Sequence, residues 1–199
     1  MEESQSSPQF LILPLVQPDQ DDEVDIDKIR DLTLKGFGNI EPEDRCIAWL
    51  VLLGIYPQYA RQWHTRLNEL VSCYEAYVDE CKIKDWQTKK IDNQIFDFNI
   101  FNLPNNAMMG QIHSDLVRTR RNILIIPIQD NNNDEQSVDS STFYSIHLRR
   151  LERVLYILGN VNQNFQYMQG FNELITPFYY TLYCAKSLFK DDFEIEALT

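Results

Sequence analysis

The sequence has little glycine, no paired cysteines and no long apolar run. Only 6 of its 199 residues are glycine, which disfavours turn-rich β architectures. The four cysteines form no CxxC pair and lack histidines at a zinc-ligand spacing, so no metal site is expected. We interpret these cysteines as buried, reduced thiols in helical segments. They are Cys46, Cys73, Cys81 and Cys184.

Basic residues are absent from the first 27 positions. This segment has eight Asp or Glu residues and no Lys or Arg, so it carries −8 of the formal net charge of −12. That balance repels a phosphate backbone and disfavours nucleic-acid binding. We expect residues 1–27 to form an acidic, flexible tail. Its apolar stretch 10–16 (FLILPLV) contains Pro14 and is too short for a signal peptide; it either docks on the domain or serves as a short peptide ligand.

No segment has the roughly 20 consecutive apolar residues that a membrane-spanning helix requires. Motifs for autonomous nucleotide chemistry are also missing. The chain contains neither a GxxxxGK[ST] phosphate loop nor a glycine-rich dinucleotide turn, so no cofactor of its own is expected. The histidines His64, His113 and His147 are far apart along the chain, and nothing favours a Ser–His–Asp or Cys–His site. We therefore expect a cytoplasmic protein that neither inserts into membranes nor acts as an autonomous hydrolase.

Helical periodicity dominates from residue 28 onward. The predicted helices cover 42–54, 58–84, 109–119, 141–159 and 170–188. Pro42 suits a first turn, Gly54 suits a C-terminal cap, and Ser141 or Thr142 suits an N-cap. Pro177 should kink or break the last helix.

The remaining segments add no sheet. Residues 86–107 are typical of a short helix plus loop, and the polar stretch near 129–140 is typical of a disordered insertion. The best strand candidate, 123–128 (ILIIPI), is isolated and contains a proline. The sequence therefore predicts an all-α fold.

Three segments share an order and spacing that point to one family. They are Arg45-Cys-Ile-Ala-Trp49-Leu-Val-Leu-Leu-Gly54 (followed by Tyr56-Pro57), Ile112-His-Ser-Asp115-Leu-Val-Arg118-Thr119, and Tyr167-Met-Gln169-Gly170-Phe-Asn172-Glu173-Leu174. Together they resemble the TBC domain, the catalytic module of Rab GTPase-activating proteins. The resemblance runs from about residue 28 to the end, so it implies a multi-helix, TBC-like domain over 28–199.

The resemblance implies a function in trans. In this family the activator supplies two residues to the GTP-hydrolysis site of a GTP-bound Rab-type GTPase. Carried over by position, the arginine finger is Arg118 and the glutamine finger is Gln169. The GTP and Mg²⁺ belong to the partner. The implied role is regulation of vesicle traffic, by a protein that reaches endomembranes through its partner.

Other motif residues have supporting roles under this resemblance. Asp115 is one helical turn before Arg118 and could hold its guanidinium or a nearby backbone amide. Ile112 would anchor that turn in the core. Tyr167 and Asn172 would fix the loop that carries the glutamine, and Gly170 would let the backbone approach the partner.

In the first segment we favour structure over chemistry. Arg45 and Trp49 precede the cap at Gly54 on one helix, and a tryptophan at such a position is ordinary core. We interpret Arg149, Arg150 and Arg153 as the solvated face of their own helix.

The sequence departs from the family pattern in places and leaves alternatives open. Arg120 and Arg121 stand beside the predicted finger, and no proline follows Arg118 where the family often has one. Only 29 residues follow Gly170, so we expect the C-terminal lobe of the domain to be missing. The apolar surface that this lobe normally buries would then be exposed and could favour self-association. The alternative function is a TBC-like module that binds a GTPase or adaptor without activating hydrolysis.

Overall fold

The computed structural model describes residues 23–36, 40–83, 86, 103–119, 140–161 and 166–199, with side chains of the fifth helix described from residue 146. This part of the chain contains seven α-helices and no strand, which confirms the predicted all-α fold. The helices are α1 (Ile26–Leu34), α2 (Pro42–Leu52), α3 (Trp63–Glu80), α4 (Asn106–Thr119), α5 (Ser140–Val161), α6 (Phe171–Cys184) and α7 (Asp192–Leu198). Short 3-10 turns precede α3 at Ala60–Gln62 and α7 at Lys186–Leu188.

Several predicted features lie outside the described residues. They are the apolar stretch 10–16, most of the helix and loop predicted at 86–107, Arg120 and Arg121, the strand candidate 123–128, and the polar insertion up to residue 139. The predictions for these segments stay predictions. Ser140, which the predicted insertion included, is already the first residue of α5.

The chain divides into two compact units. The first comprises the residues up to Ser72 together with Thr181–Leu198, and the second comprises Cys73–Tyr180. The boundaries fall within α3 and α6. Both predicted fingers belong to the second unit.

In the first unit the helical region starts earlier than the predicted boundary at residue 28. Asp25 caps α1, because its Oδ1 accepts a hydrogen bond from the Lys28 amide at 2.9 Å. Val24 is fully buried, and Glu23 forms an isolated bridge with Tyr59. The acidic residues 23–27 are therefore not part of a free tail, because capping and burial hold them to the unit.

The ends of α2 follow the prediction. Pro42 is its first residue, and Gly54 has the positive φ of 71° that a C-terminal glycine cap adopts. The Gly54 amide donates to the Val51 carbonyl at 3.0 Å, and the Ile55 amide donates to the Leu50 carbonyl at 2.9 Å. These two bonds form a Schellman motif, which satisfies the last carbonyls of the helix.

The tryptophan of the first motif is placed differently from the prediction. The buried apolar face of α2 is formed by Cys46, Ile47, Ala48, Leu50 and Val51. Trp49 lies beside this face and is half-buried, so the interpretation of Trp49 as a core residue is wrong. Arg45 is likewise half-buried.

The cysteine prediction is also wrong in part. Cys46 is buried, and its burial raises the pKa of the thiol to about 12, so this thiol stays protonated. Cys81 and Cys184 are only half-buried, and Cys73 is exposed. All four are free thiols.

In the second unit α4 packs on α5. The buried apolar face of α4 consists of Met109, Ile112 and Leu116, which recur at steps of three and four. Leu151 and Leu155 are buried on α5. Ile112 is fully buried, as predicted for the residue that anchors the turn before Arg118.

The α5 helix starts before the predicted cap at Ser141 or Thr142 and continues past the predicted stop at Gly159 to Val161. Gly159 is buried within it. A Cβ atom at Gly159 would lie 2.6 Å from Sδ of Met108 and 3.3 Å from Cβ of Tyr167. The glycine therefore permits a close approach to α4 and to the loop before α6, instead of ending the helix.

Two arginines of α5 contradict the predicted solvated face. Arg150 and Arg153 are both buried. Arg150 donates to the Tyr179 hydroxyl at 3.3 Å, and Arg153 donates to the Trp86 carbonyl at 3.0 Å. These partners lie far away in the sequence, and they offset the cost of burying each guanidinium. Arg149 is partly exposed and pairs with Glu152 at 2.8 Å.

The α6 helix is not broken at Pro177. It continues from Phe171 to Cys184 with Pro177 inside it. The Thr176 hydroxyl donates to the Asn172 carbonyl at 2.6 Å in the turn before the proline. Thr176 and Tyr179 are buried on either side of the proline, so packing holds this segment helical despite the lost amide donor.

Candidate functional site

The predicted arginine finger lies in the last turn of α4. The Arg118 side chain is 72% exposed, and its Nη1 lies 3.6 Å from Oδ1 of Asp115. Asp115 is buried one turn earlier on the same helix. An exposed ion pair of this kind contributes little to stability. Its consequence is positional, because a buried and fixed carboxylate limits where the guanidinium can move.

Asp115 is itself held from the other side. The Tyr167 hydroxyl donates a hydrogen bond to Oδ2 of Asp115 at 3.0 Å. Burial, reinforced by the neighbouring carboxylate, raises the pKa of Tyr167 well above its usual value, so the phenol remains a proton donor. The two oxygens of Asp115 thus face different partners, the finger on one side and the loop before α6 on the other.

A second pair of contacts joins that loop to the end of α4. Asn172 is buried; its Oδ1 accepts from the Gly170 amide at 3.1 Å, and its Nδ2 donates to Oγ1 of Thr119. The Thr119 hydroxyl lies 3.0 Å from the Asp115 carbonyl and 3.1 Å from Oε1 of Glu173, either of which can accept its proton. The residues next to each finger are therefore connected through buried hydrogen bonds.

Gln169 lies at the surface of the turn that these contacts hold. Its side chain is exposed. Gly170 follows it with φ of 105°, a backbone conformation that other residues adopt at a cost. A Cβ at Gly170 would meet no atom within 4 Å. The structure thus gives Gly170 a conformational role, while the predicted close approach of a partner stays a prediction.

The structure brings together most of the predicted site. Asp115, Tyr167, Gly170 and Asn172 are linked by the contacts above, and Arg118 and Gln169 are exposed at the two ends of the network. The residues of the first motif, Arg45, Trp49 and Gly54, belong to the first unit.

Sequence reasoning missed two members of the network. Thr119 and Glu173 lie within the motif segments, but neither of them was assigned a role from the sequence. Their contact joins residues 54 positions apart, which no local pattern indicates. The available signal was their place in those segments, Thr119 directly after Arg118 and Glu173 directly after Asn172.

The described residues provide no other candidate centre. In that part of the chain no group of three or more His, Cys, Asp or Glu side chains is placed to hold a metal ion. None of its helices is both long and apolar enough to cross a bilayer. His113 pairs with Glu152, and His147 with the Tyr179 hydroxyl, so neither of these two contacts is with a serine or a cysteine.

Comparison with known proteins identifies the family of this chain. The family model of the Rab-GTPase-TBC domain matches residues 43–191, a range that includes all three motif segments. The chain belongs to this family. The TBC match also covers every residue of the network between Asp115 and Glu173.

The curated relatives are fungal proteins named as GTPase-activating proteins. GYP7 of Yarrowia lipolytica is 30% identical over 157 residues, which cover 73% of this chain and 20% of the relative. GYP7 of Debaryomyces hansenii is 26% identical over 79% of this chain and 22% of the relative. For gyp1 of Schizosaccharomyces pombe the identity is 27%, over 78% of this chain and 24% of the relative. The chain thus matches about a fifth to a quarter of the length of these relatives, and no solved structure matches it.

Proposed function

We propose that this TBC chain accelerates GTP hydrolysis on a Rab-family GTPase in its GTP-bound state. In this proposal Arg118 is the arginine finger and Gln169 is the glutamine finger. The observation that carries the proposal is the buried network of Asp115, Tyr167, Asn172 and Thr119. It fixes the backbone beside both side chains while leaving both of them exposed to a partner.

The arginine would stabilise charge. Phosphoryl transfer from GTP develops negative charge on the transferred group and on the leaving oxygen. A guanidinium is permanently charged and planar and carries several donors, so it can reach both places. Asp115 would act as a positioning residue, because its ion pair with Arg118 restricts the finger before the partner arrives.

The glutamine would position the nucleophile. A side-chain amide can accept a hydrogen bond from the attacking water and donate one to a phosphate oxygen. Its donor and acceptor are both available for this, since Gln169 is exposed. GTP and Mg²⁺ would come with the partner, and the partner would also bring the chain to an endomembrane.

The relatives support the proposed GTPase-activating function. The relatives described above all carry the name GTPase-activating protein, and the family adds the Rab class of partner. This chain spans only a part of each relative, so their activity is transferred here as a proposal that requires its own test.

The test is GTP hydrolysis by a panel of Rab proteins, with the chain added in substoichiometric amounts. We expect selective acceleration by the wild type and a loss of about 10³–10⁵ in that acceleration with Arg118→Ala. Arg118→Lys should not restore it, because an ammonium lacks the planar fork. Gln169→Ala should also abolish most of the acceleration. Binding of the GTPase loaded with a non-hydrolysable GTP analogue should persist in all three variants.

Matched controls exist on the same chain. Arg30 is an exposed arginine paired with Asp27 three residues earlier, the same spacing as Arg118 and Asp115. Gln62 is an exposed glutamine of the first unit. Arg30→Ala and Gln62→Ala should leave the acceleration intact. Binding without acceleration by any Rab, and no effect of Arg118→Ala, would instead identify a binding module.

A further inference from the structure

Two large apolar side chains are exposed on either side of the turn that contains Gln169. Met168 precedes the glutamine and is 52% exposed. Leu174, in the first turn of α6, is 75% exposed. Neither is required by the network that holds the turn, since that network is made by Asp115, Tyr167, Asn172 and Thr119.

Backbone hydrogen bonds hold the segment that runs from Met168 through Gln169 to Leu174. The Met168 carbonyl accepts from the Phe171 amide at 3.2 Å, and the Gly170 carbonyl accepts from the Leu174 amide at 3.3 Å. Met168 thus directly precedes Gln169, and Leu174 lies one helical turn after Gly170 on a hydrogen-bonded backbone. Glu173, between them in the sequence, is exposed as well, and its Oε1 lies 3.1 Å from the Thr119 hydroxyl at the end of α4.

We propose that Met168 and Leu174 form an apolar docking surface for the GTPase, next to its nucleotide pocket. The proposal rests on the proposed function, because it takes Gln169 as the residue that approaches the nucleotide. Any GTPase that brings its nucleotide to the Gln169 amide covers the neighbouring side chains as well. The surface that it presents there must be apolar to gain from this contact.

The two kinds of residue then have separate effects. Arg118 and Gln169 act on the transition state, so their removal lowers kcat. Met168 and Leu174 contact the partner equally before and during the reaction, so their removal raises KM and leaves kcat unchanged. Large apolar side chains at the centre of an interface are the ones whose truncation costs most affinity.

The experiment measures KM and kcat of the accelerated hydrolysis for Leu174→Ala, Met168→Ala and the double variant. We expect each single variant to raise KM about tenfold, and the double variant to raise it further, with kcat unchanged. The conservative variants Leu174→Met and Met168→Leu should retain most of the affinity. Leu174→Ala should not harm folding, because the side chain is exposed and alanine favours helix.

A matched control separates docking from general surface chemistry. Leu34 at the end of α1 is 80% exposed and belongs to the first unit. Leu34→Ala removes as much exposed apolar side chain and should leave KM at the wild-type value. Unchanged KM in both Leu174→Ala and Met168→Ala overturns the docking proposal.

A second readout keeps this proposal distinct from the catalytic one. Affinity for a Rab protein loaded with a non-hydrolysable GTP analogue is measured by calorimetry, without hydrolysis. Binding that weakens in Leu174→Ala supports docking even when the wild type accelerates nothing. Binding that is absent in the wild type overturns both proposals. A loss of self-association at unchanged affinity shows that a second copy covers the patch, and overturns docking of the GTPase.

Discussion

The hydroxyl of Tyr167 donates a hydrogen bond to Oδ2 of Asp115 at 3.0 Å, across 52 residues of sequence. The other oxygen of the same carboxylate lies 3.6 Å from Nη1 of Arg118. One buried carboxylate therefore links the loop before α6 to the exposed arginine of α4. The two candidate fingers come from segments far apart in the chain, and this contact joins those segments directly.

The first prediction concerns this contact. Tyr167→Phe keeps the buried ring and removes only the donor, so Oδ2 of Asp115 loses its buried partner. We expect the free energy of unfolding to fall by about 1–3 kcal/mol, measured by urea denaturation. Stimulated GTP hydrolysis should fall as well, because Asp115 is then free to move away from Arg118. Tyr59→Phe, at an exposed tyrosine of the first unit, should change neither quantity. Equal stability of Tyr167→Phe and wild type would show that the hydrogen bond contributes nothing.

The local pattern of apolar residues was sufficient to predict most of the helices. The steps of three and four that predict α3 correspond to its buried residues Leu67, Tyr74 and Val78, and the Gly54 cap follows from its position after an apolar helix. Such features depend on neighbours within one or two turns. The ends of the helices were predicted less accurately, as α1 and α5 show, because capping and packing decide where a helix begins and ends.

Features that depend on distant partners could not be predicted. Arg150 and Arg153 carry charges that normally favour a solvated face, yet a tyrosine hydroxyl and a backbone carbonyl elsewhere in the chain make their burial tolerable. Thr119 is similar, since its contacts with Asn172 and Glu173 exist only after α4 and α6 have packed. In the site, the motifs located the residues, and only the structure revealed how they are connected.

The second prediction compares two glycines. Gly170 has φ of 105°, and Gly110 lies inside α4; a Cβ would meet no atom within 4 Å at either position. Any difference between their alanine variants therefore reports backbone conformation. Gly170→Ala should lower the free energy of unfolding by about 1–3 kcal/mol and reduce stimulated hydrolysis by displacing Gln169. Gly110→Ala should raise the free energy of unfolding by about 0.5–1 kcal/mol, because alanine favours helix. A loss of stability at both positions in urea denaturation would contradict this assignment.

The third prediction tests the close approach at Gly159. A valine there must displace Sδ of Met108, 2.6 Å from the new Cβ, and press on Tyr167. Gly159→Val should cost about 1–3 kcal/mol of unfolding free energy, as overpacking generally does. Gly159→Ala should stay within about 1 kcal/mol of wild type, because the end of Met108 can move and alanine favours helix. In a double-mutant cycle Met108→Ala should recover part of the loss caused by valine, and strict additivity would show that Met108 is not the obstacle.

The fourth prediction concerns the pH dependence of the contact between α4 and α5. Nδ1 of His113 lies 2.6 Å from Oε1 of Glu152, whose other oxygen pairs with Arg149 at 2.8 Å. The hydrogen bond to Glu152 raises the pKa of His113 above its usual 6.5, against the opposing effects of burial and of Arg149. Because the folded state binds this proton more tightly than the unfolded state does, the protonated pair stabilises the fold. That stabilisation is complete below pH 6.5 and is lost as the pH rises through the higher folded-state pKa.

The variant that isolates this effect is His113→Gln, which keeps a neutral hydrogen-bond donor and removes the titration. The free energy of unfolding is measured in urea from about pH 5.5 to about pH 8.5, a range chosen to bracket the usual histidine pKa. Wild type should be more stable than His113→Gln at the acidic end, and the difference should shrink as the pH rises. His64→Gln, at an exposed histidine of α3, should keep the wild-type profile. A difference that grows towards alkaline pH would mean that the neutral imidazole, not the imidazolium, is the form that the fold prefers.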